Sequence, residues 1–350
     1  MREQGGTDRP PDEGLTRRRL LGLAGAGVIG LALAGCGDED DETSTASQGG
    51  AGTTQAPSLA GKKVSVAAYS KNHASSPLFW QKFAPEGLEV EVKIFTSGSD
   101  MNRAMEAGDL DFGLFGMYNG LIEREQGFGS KIICMAARRG MGLAARADRG
   151  INSVADLRGR TIAVPPPGLQ VLVLTHLLSQ AGMQLDRDLK SVPLGYADHA
   201  AALERGEIDA YMGTEPPVTQ SVVSGVGKRL VDPASTPIGD FNTAIWASPR
   251  MLEQPDLLRA ATKMQRDAAE YLTPGGVNDR AVWKDLLVSQ FGYTEAVYNE
   301  VLSNIGAVWR FDEARRRQVE AGGALMRSTG VLKKDPDYSQ VFALEYQPSA

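Results

Sequence analysis

Between residues 62 and 248 the chain alternates two kinds of hydrophobic pattern. Short runs such as KKVSVAAY (62–69), LEVEVKIF (88–95), KIICMAA, MGLAARAD, RTIAV, LKSVPL and FNTAIWAS (241–248) read as strands. The stretches between several of them carry apolar residues at helical spacing, which predicts helices from Ser99 to Ala107, Leu169 to Ala181 and Ala197 to Arg205. Beyond the last strand, LEQPDLLRAATKMQRDAAEYL places Leu257, Leu258, Ala261, Met264, Ala268 and Leu272 on one helical face, and no further strand is expected. The predicted class is α/β.

One unit occurs twice. MEAGDLDFGLFG and LERGEIDAYMGTEPP each read as a helix end, a glycine stop and a short strand. Gly108-Asp109-Leu110-Asp111 of the first recurs as Gly206-Glu207-Ile208-Asp209 in the second. A local helix stop explains either copy alone. Two copies in matching positions, with a candidate crossover between them and a return strand after the second, favour two similar lobes closing on a cleft. In α/β sheets ligands sit at the carboxyl ends of the strands, where the loops after these units emerge.

The amino-terminal segment has a different character. Residues 1–35 read as a signal peptide, with an arginine cluster, an apolar run from Leu20 to Gly35 and a small-residue cleavage site. The run is too short for a permanent transmembrane helix. Thr16-Arg17-Arg18-Arg19-Leu20-Leu21 resembles a twin-arginine export signal, and Leu33-Ala34-Gly35-Cys36 resembles a bacterial lipobox, which implies lipidation of Cys36. Gly25-Ala26-Gly27-Val28-Ile29-Gly30 satisfies the dinucleotide fingerprint but follows no strand, so the match is accidental. Residues 36–60 are acidic and small and read as a disordered tether to the membrane surface.

EAGDLDFG, VADLRGRTIAVPPPG, ALERGEIDAYMGTEPP and NTAIWASPRML, in that order, resemble the sulfonate, taurine and nitrate group of ABC-importer substrate-binding proteins, which also includes binders of thiamine pyrimidines and riboflavin. The resemblance implies a two-lobed type 2 periplasmic-binding-protein fold. Residues 61–146 and 243–350 would form lobe one and residues 147–242 lobe two. It also implies an exported, lipid-anchored receptor, expected as a monomer, that hands a small solute to an ABC permease.

In that fold the loops after the strands and the helix starts line the cleft. Lobe one offers Tyr69, Asn72 and His73, then Ser97 and Ser99, then Tyr118 and Asn119. Lobe two offers Gly168, Leu169 and Gln170, then Tyr196 and Asp198, then Glu215, and Trp246 lies on the return strand. Helix starts at Ser97 and Gly168 suit an anionic head group. Leu169 stands where sulfonate binders often place a hydroxyl, a departure that weakens an anion-only reading. Glu215 near Tyr118, Tyr196 and Trp246 suits a flat or cationic nitrogenous part, although Glu215 also reads as a helix cap. Sulfonate, taurine or nitrate thus competes with pyrimidine-like ligands.

Composition removes other classes. The net charge is −6, of which five Arg against nine Asp or Glu place −4 in residues 1–60, leaving no basic surface for nucleic acid. Two cysteines and three histidines fit neither a disulfide scaffold nor a metal site. Cys134 and His176 read as core residues, and His199 as a surface cap. No catalytic constellation, cofactor or metal is expected. A ligand-sensing lipoprotein for a membrane signalling partner and a pyrimidine-forming enzyme on the same fold are the alternatives.

Overall fold

The computed structural model describes residues 59–349. The expected signal peptide, Cys36 and all but the last two residues of the expected tether lie outside the described residues. A first sheet begins with β1 (Lys63–Tyr69), β2 (Glu89–Phe95), β3 (Phe112–Phe115) and β4 (Lys131–Arg139), with α1 (Gly98–Glu106) and α2 (Met117–Glu125) among them. The second sheet holds β5 (Met141–Arg146), β6 (Thr161–Val164), β7 (Lys190–Pro193), β8 (Ala210–Thr214) and β9 (Gly227–Val231), interleaved with α3 (Leu169–Gln180), α4 (His199–Arg205) and α5 (Pro217–Val223). The chain re-enters the first sheet through β10 (Phe241–Ala247). It continues as α6 (Pro249–Leu252), α7 (Pro255–Leu272), α8 (Arg280–Lys284), α9 (Glu295–Val301), β11 (Ile305–Ala307) and α10 (Glu313–Ser328).

The strand orders are β11-β4-β10-β3-β1-β2 and β7-β6-β8-β5-β9. Apart from β11 the sheets follow one scheme: β1 and β6 each pair in parallel with two neighbours, and an antiparallel strand, β10 or β5, sits beyond. That antiparallel strand is in each case the one entering from the other lobe.

The boundaries differ from the expected ones. β5 pairs with β8 and β9, so residues 141–146 belong to lobe two, and β10 belongs to lobe one from Phe241 onward. Arg139 and Gly140, both at positive φ, turn the chain from one sheet into the other. Two apolar runs joined by one glycine look like neighbours in a single sheet, and only pairing partners separate them. β11 is the strand that the pattern did not predict: its three residues carry no periodicity, and their pairing with β4 is set by tertiary contact.

The repeated unit has one physical cause in both lobes. Gly108 (φ +81°) and Gly206 (φ +75°) end α1 and α4 in the left-handed region, where glycine has no Cβ penalty. The N–H groups of Gly108 and Asp109 donate to the carbonyls of Met105 and Ala104; those of Gly206 and Glu207 donate to Leu203 and Ala202. Each set is a Schellman cap. The next residue, Leu110 or Ile208, is buried, and the aspartate completes the unit. Asp111 accepts from the Ser65 N–H on β1 at 2.8 Å, and Asp209 from the Thr161 N–H on β6 at 3.0 Å, so each carboxylate extends a parallel ladder past its last backbone bond.

Lobe one's core gathers on β10, every residue of which is buried, as a central strand requires. Among the described residues no helix is long and apolar enough to cross a membrane.

Candidate functional site

The loops at the carboxyl ends of the strands meet between the lobes. There they enclose a cavity of about 20 Å³, which shares Tyr69, Asn72, Pro166, Tyr196 and Thr214 with an outer chamber of about 880 Å³. The inner cavity receives Ser97 at the start of α1, Gly116 and Asn119 at the start of α2, and Pro167 to Gln170 at the start of α3. Asn242 and Thr243 come from the opening residues of β10.

The polar groups facing this space are uncharged. Burial pushes the Tyr69 and Tyr196 phenols above their ordinary range, so both stay neutral hydroxyls. Tyr196 donates to Gln170 Oε1 at 2.8 Å. Asn72 uses its carbonyl oxygen to accept from the Ala74 N–H at 2.9 Å, and Asn119 donates to Ser99 Oγ and to Pro167 O, both at 3.4 Å. Thr243 Oγ1 is buried and has no hydrogen-bond partner. The N-terminus of α3 at Gly168 has no side-chain cap, so its first N–H groups retain their donor capacity beside the cavity. Thr243 and the start of α3 line the same cavity.

The two lobes already touch around the space. A Cβ on Gly116 would stand 3.1 Å from Leu169 Cβ, and Ser99 and Asn119 of lobe one both donate to Pro167 O of lobe two. Glycine at position 116 leaves room for the Leu169 side chain.

Eight of the fourteen expected ligand residues line the inner cavity: Tyr69, Asn72, Ser97 and Asn119 from lobe one, Gly168, Leu169, Gln170 and Tyr196 from lobe two. Ser99 sits beside them, bonded to Pro167 O, and Asp198 lines the outer chamber. The other four are corrections. Trp246 is fully buried in the core of lobe one, stacked on Phe115 at 5.3 Å with its indole N–H donating to Phe115 O. Tyr118 packs into the core of lobe one, because the phase of α2 turns Asn119 to the cavity instead. Glu215 is buried against Arg229 and accepts from the Thr219 N–H at 2.9 Å, so it caps α5 and balances a guanidinium. His73 is buried against Gly140, its ring nitrogen bonded to Glu215 O at 3.3 Å, and desolvation lowers its pKa to about 4.

Two histidines outside the cleft also differ from expectation. His199 is buried between Tyr196 and Tyr211, and desolvation lowers its pKa to about 4, whereas His176 is only half-buried. Cys134 is buried in the core, as its apolar strand predicts.

Asn242 and Thr243 are the lining residues that the pattern gave least reason to choose, whereas Thr214 was expected beside Glu215. A polar pair opening an otherwise apolar strand is the signal that was present. No cluster of ligands suited to a metal ion occurs among the described residues.

This architecture is the two-lobed fold of periplasmic binding proteins. The alkanesulfonate-binding protein SsuA of Xanthomonas axonopodis pv. citri, bound to MOPS, superimposes with a TM-score of 0.68 at 19% identity, over 81% of this chain and 99% of that one. A desulfurization enzyme, DSZB, does so with a TM-score of 0.59 at 16% identity, over 81% of this chain and 97% of its own. A Brucella abortus protein named as a binding protein is 32% identical over 139 residues, 39% of this chain; the match spans about two fifths (41%) of that relative's length. The NMT1/THI5-like family model matches residues 82–274, and the chain belongs to that family.

Proposed function

We propose that the protein is an extracytoplasmic receptor that captures a small solute between its lobes and delivers it to an ABC importer. The observation that carries this reading is the inner cavity, walled by both lobes with neutral hydrogen-bond donors and with the uncapped start of α3. Only a closed pair of lobes offers all of these contacts to one ligand, so binding favours closure. Unpaired N–H groups at a helix start and a buried hydroxyl suit the oxygens of an anionic head group, a sulfonate first among them, without a cationic side chain. With Glu215 paired to Arg229, the acid-based case for a cationic nitrogenous ligand loses its central residue.

The same reading takes residues 1–35 as the export signal and Cys36 as a lipid anchor, with residues 61–140 and 241–350 forming lobe one and 141–240 lobe two. Two or more acyl chains hold a protein stably at a membrane surface. Release of a Cys36→Ser variant from the membrane fraction is the expected outcome, and its retention there would remove the anchor. The enzyme alternative needs a reactive group at the ligand, and the residues lining the inner cavity include neither cysteine nor histidine. Labelled-solute uptake in a strain lacking the gene tests the receptor reading. Lost uptake supports it, whereas intact uptake with altered gene expression would favour a sensor.

A further inference from the structure

The outer chamber is lined unlike the inner cavity. Five of its 22 lining residues are aromatic: Tyr69, Phe95, Tyr196, Phe291 and Tyr293. Aromatic residues make up 7% of the whole chain, so the chamber gathers them, and all five are only half-buried. Val223, one of three large hydrophobic side chains that stand exposed among the described residues, lies in the same wall. An apolar occupant would cover this surface.

The wall containing Phe291 and Tyr293 is built and fixed. A π-helical turn, Asp285–Gln290, delivers the chain to it, and the Tyr293 N–H returns to Leu287 O at 2.9 Å. The Tyr293 hydroxyl donates to Lys71 O at 3.1 Å, where Lys71 is held at φ +50°. Thr294 then caps α9, its Oγ1 accepting from the Val297 N–H. π-turns inside helices recur at functional sites. Here the turn brings a segment 222 residues distant in sequence against the loop after β1.

We infer that the outer chamber is a second ligand compartment that selects solutes bearing a flat, unsaturated ring behind the oxyanion head. Rings offset-stacked or edge-on to Tyr and Phe gain from their quadrupoles beyond the area they bury. The chamber's charged residues are Lys71 against Asp198 and Glu204, a balance that disfavours a second anionic group on the ring. This inference rests on the receptor reading and deepens it.

Calorimetric titration of the purified protein with ethanesulfonate, naphthalene-2-sulfonate and naphthalene-1,5-disulfonate separates the two. Naphthalene-2-sulfonate is expected to bind tighter than ethanesulfonate by about tenfold or more, and the disulfonate more weakly than the monosulfonate. In Phe291→Ala the ratio of the first two affinities falls toward one. Phe291→Leu keeps apolar volume without the ring and guards against a folding defect; it should lower the same ratio. Equal affinities for ethanesulfonate and naphthalene-2-sulfonate would overturn the ring compartment and leave the receptor standing. No binding by any of the three would overturn both the compartment and the sulfonate-headed reading.

Discussion

Gly116 of lobe one and Leu169 of lobe two face each other across the cleft so closely that a Cβ on Gly116 would lie 3.1 Å from that of Leu169 and equally near Asn242 O. A side chain here therefore meets both lobes at once. Gly116→Val should keep the lobes from closing while leaving each core intact. The expected result is ligand affinity weakened by about tenfold or more, with a thermal midpoint within a few degrees of wild type. Calorimetry and a thermal scan on one preparation check both.

Thr243 Oγ1 is buried without a partner in the wall of the inner cavity. A hydroxyl that bonds only the ligand contributes to binding and little to folding. Thr243→Val should weaken binding by roughly threefold to thirtyfold and leave denaturant stability nearly unchanged. Loss of stability without loss of affinity would return Thr243 to a structural role.

Asp111 and Asp209 do the same work in the two lobes with different amounts of support. Asp209→Ala leaves the Thr161 N–H without its side-chain acceptor and should cost about 1 to 3 kcal/mol. Asp111→Ala should cost more, because Asp111 also accepts from Ser65 Oγ at 3.0 Å and from Arg250 Nε at 2.9 Å. Urea unfolding measures both, and partial rescue by Asp209→Asn, which restores one acceptor, distinguishes the ladder from the charge.

Glu123 on α2 is buried, with Oε2 accepting from Ser130 Oγ and Oε1 unpartnered. Burial, reinforced by Glu106, pushes its pKa to about 8 from an ordinary value of 4.5, against the opposing pull of Ser130 and Arg124. The folded protein thus holds a proton that the unfolded chain releases once pH rises above 4.5. This contribution is fully present below pH 4.5 and is lost progressively as pH rises through about 8. The slope is at most about 1.4 kcal/mol per pH unit. Glu123→Gln should flatten it, as unfolding free energies measured across that range would show.

The Gly-x-x-Asp repeat was legible because each of its four residues answers a local demand: a left-handed turn, a cap, a buried contact and a ladder acceptor. Tyr69, Asn72, Ser97, Asn119 and Gly168 were legible for a related reason, since each follows a strand at the edge where the cleft must lie. The misses share another cause. Trp246 and Thr243 lie on one strand, but Thr243 opens it beside the cavity, whereas Trp246 lies three residues further in and packs on Phe115. Glu215 belongs to Arg229, 14 residues away, and no local pattern announces that pair. The crossing at Gly140 and the pairing of β11 are likewise matters of partner, which hydrophobic spacing does not encode.

The most direct test of capture between the lobes is thermal unfolding of the purified protein against alkane- and arenesulfonates, taurine, nitrate, aminopyrimidines, thiamine, riboflavin and amino acids. A ligand at a hundred times its dissociation constant adds about 2.7 kcal/mol to the folded state and raises the midpoint by several degrees. The account predicts such a shift with a sulfonate and its loss in Gly116→Val. An unchanged midpoint with every solute, after any ligand carried through purification has been removed, would contradict it.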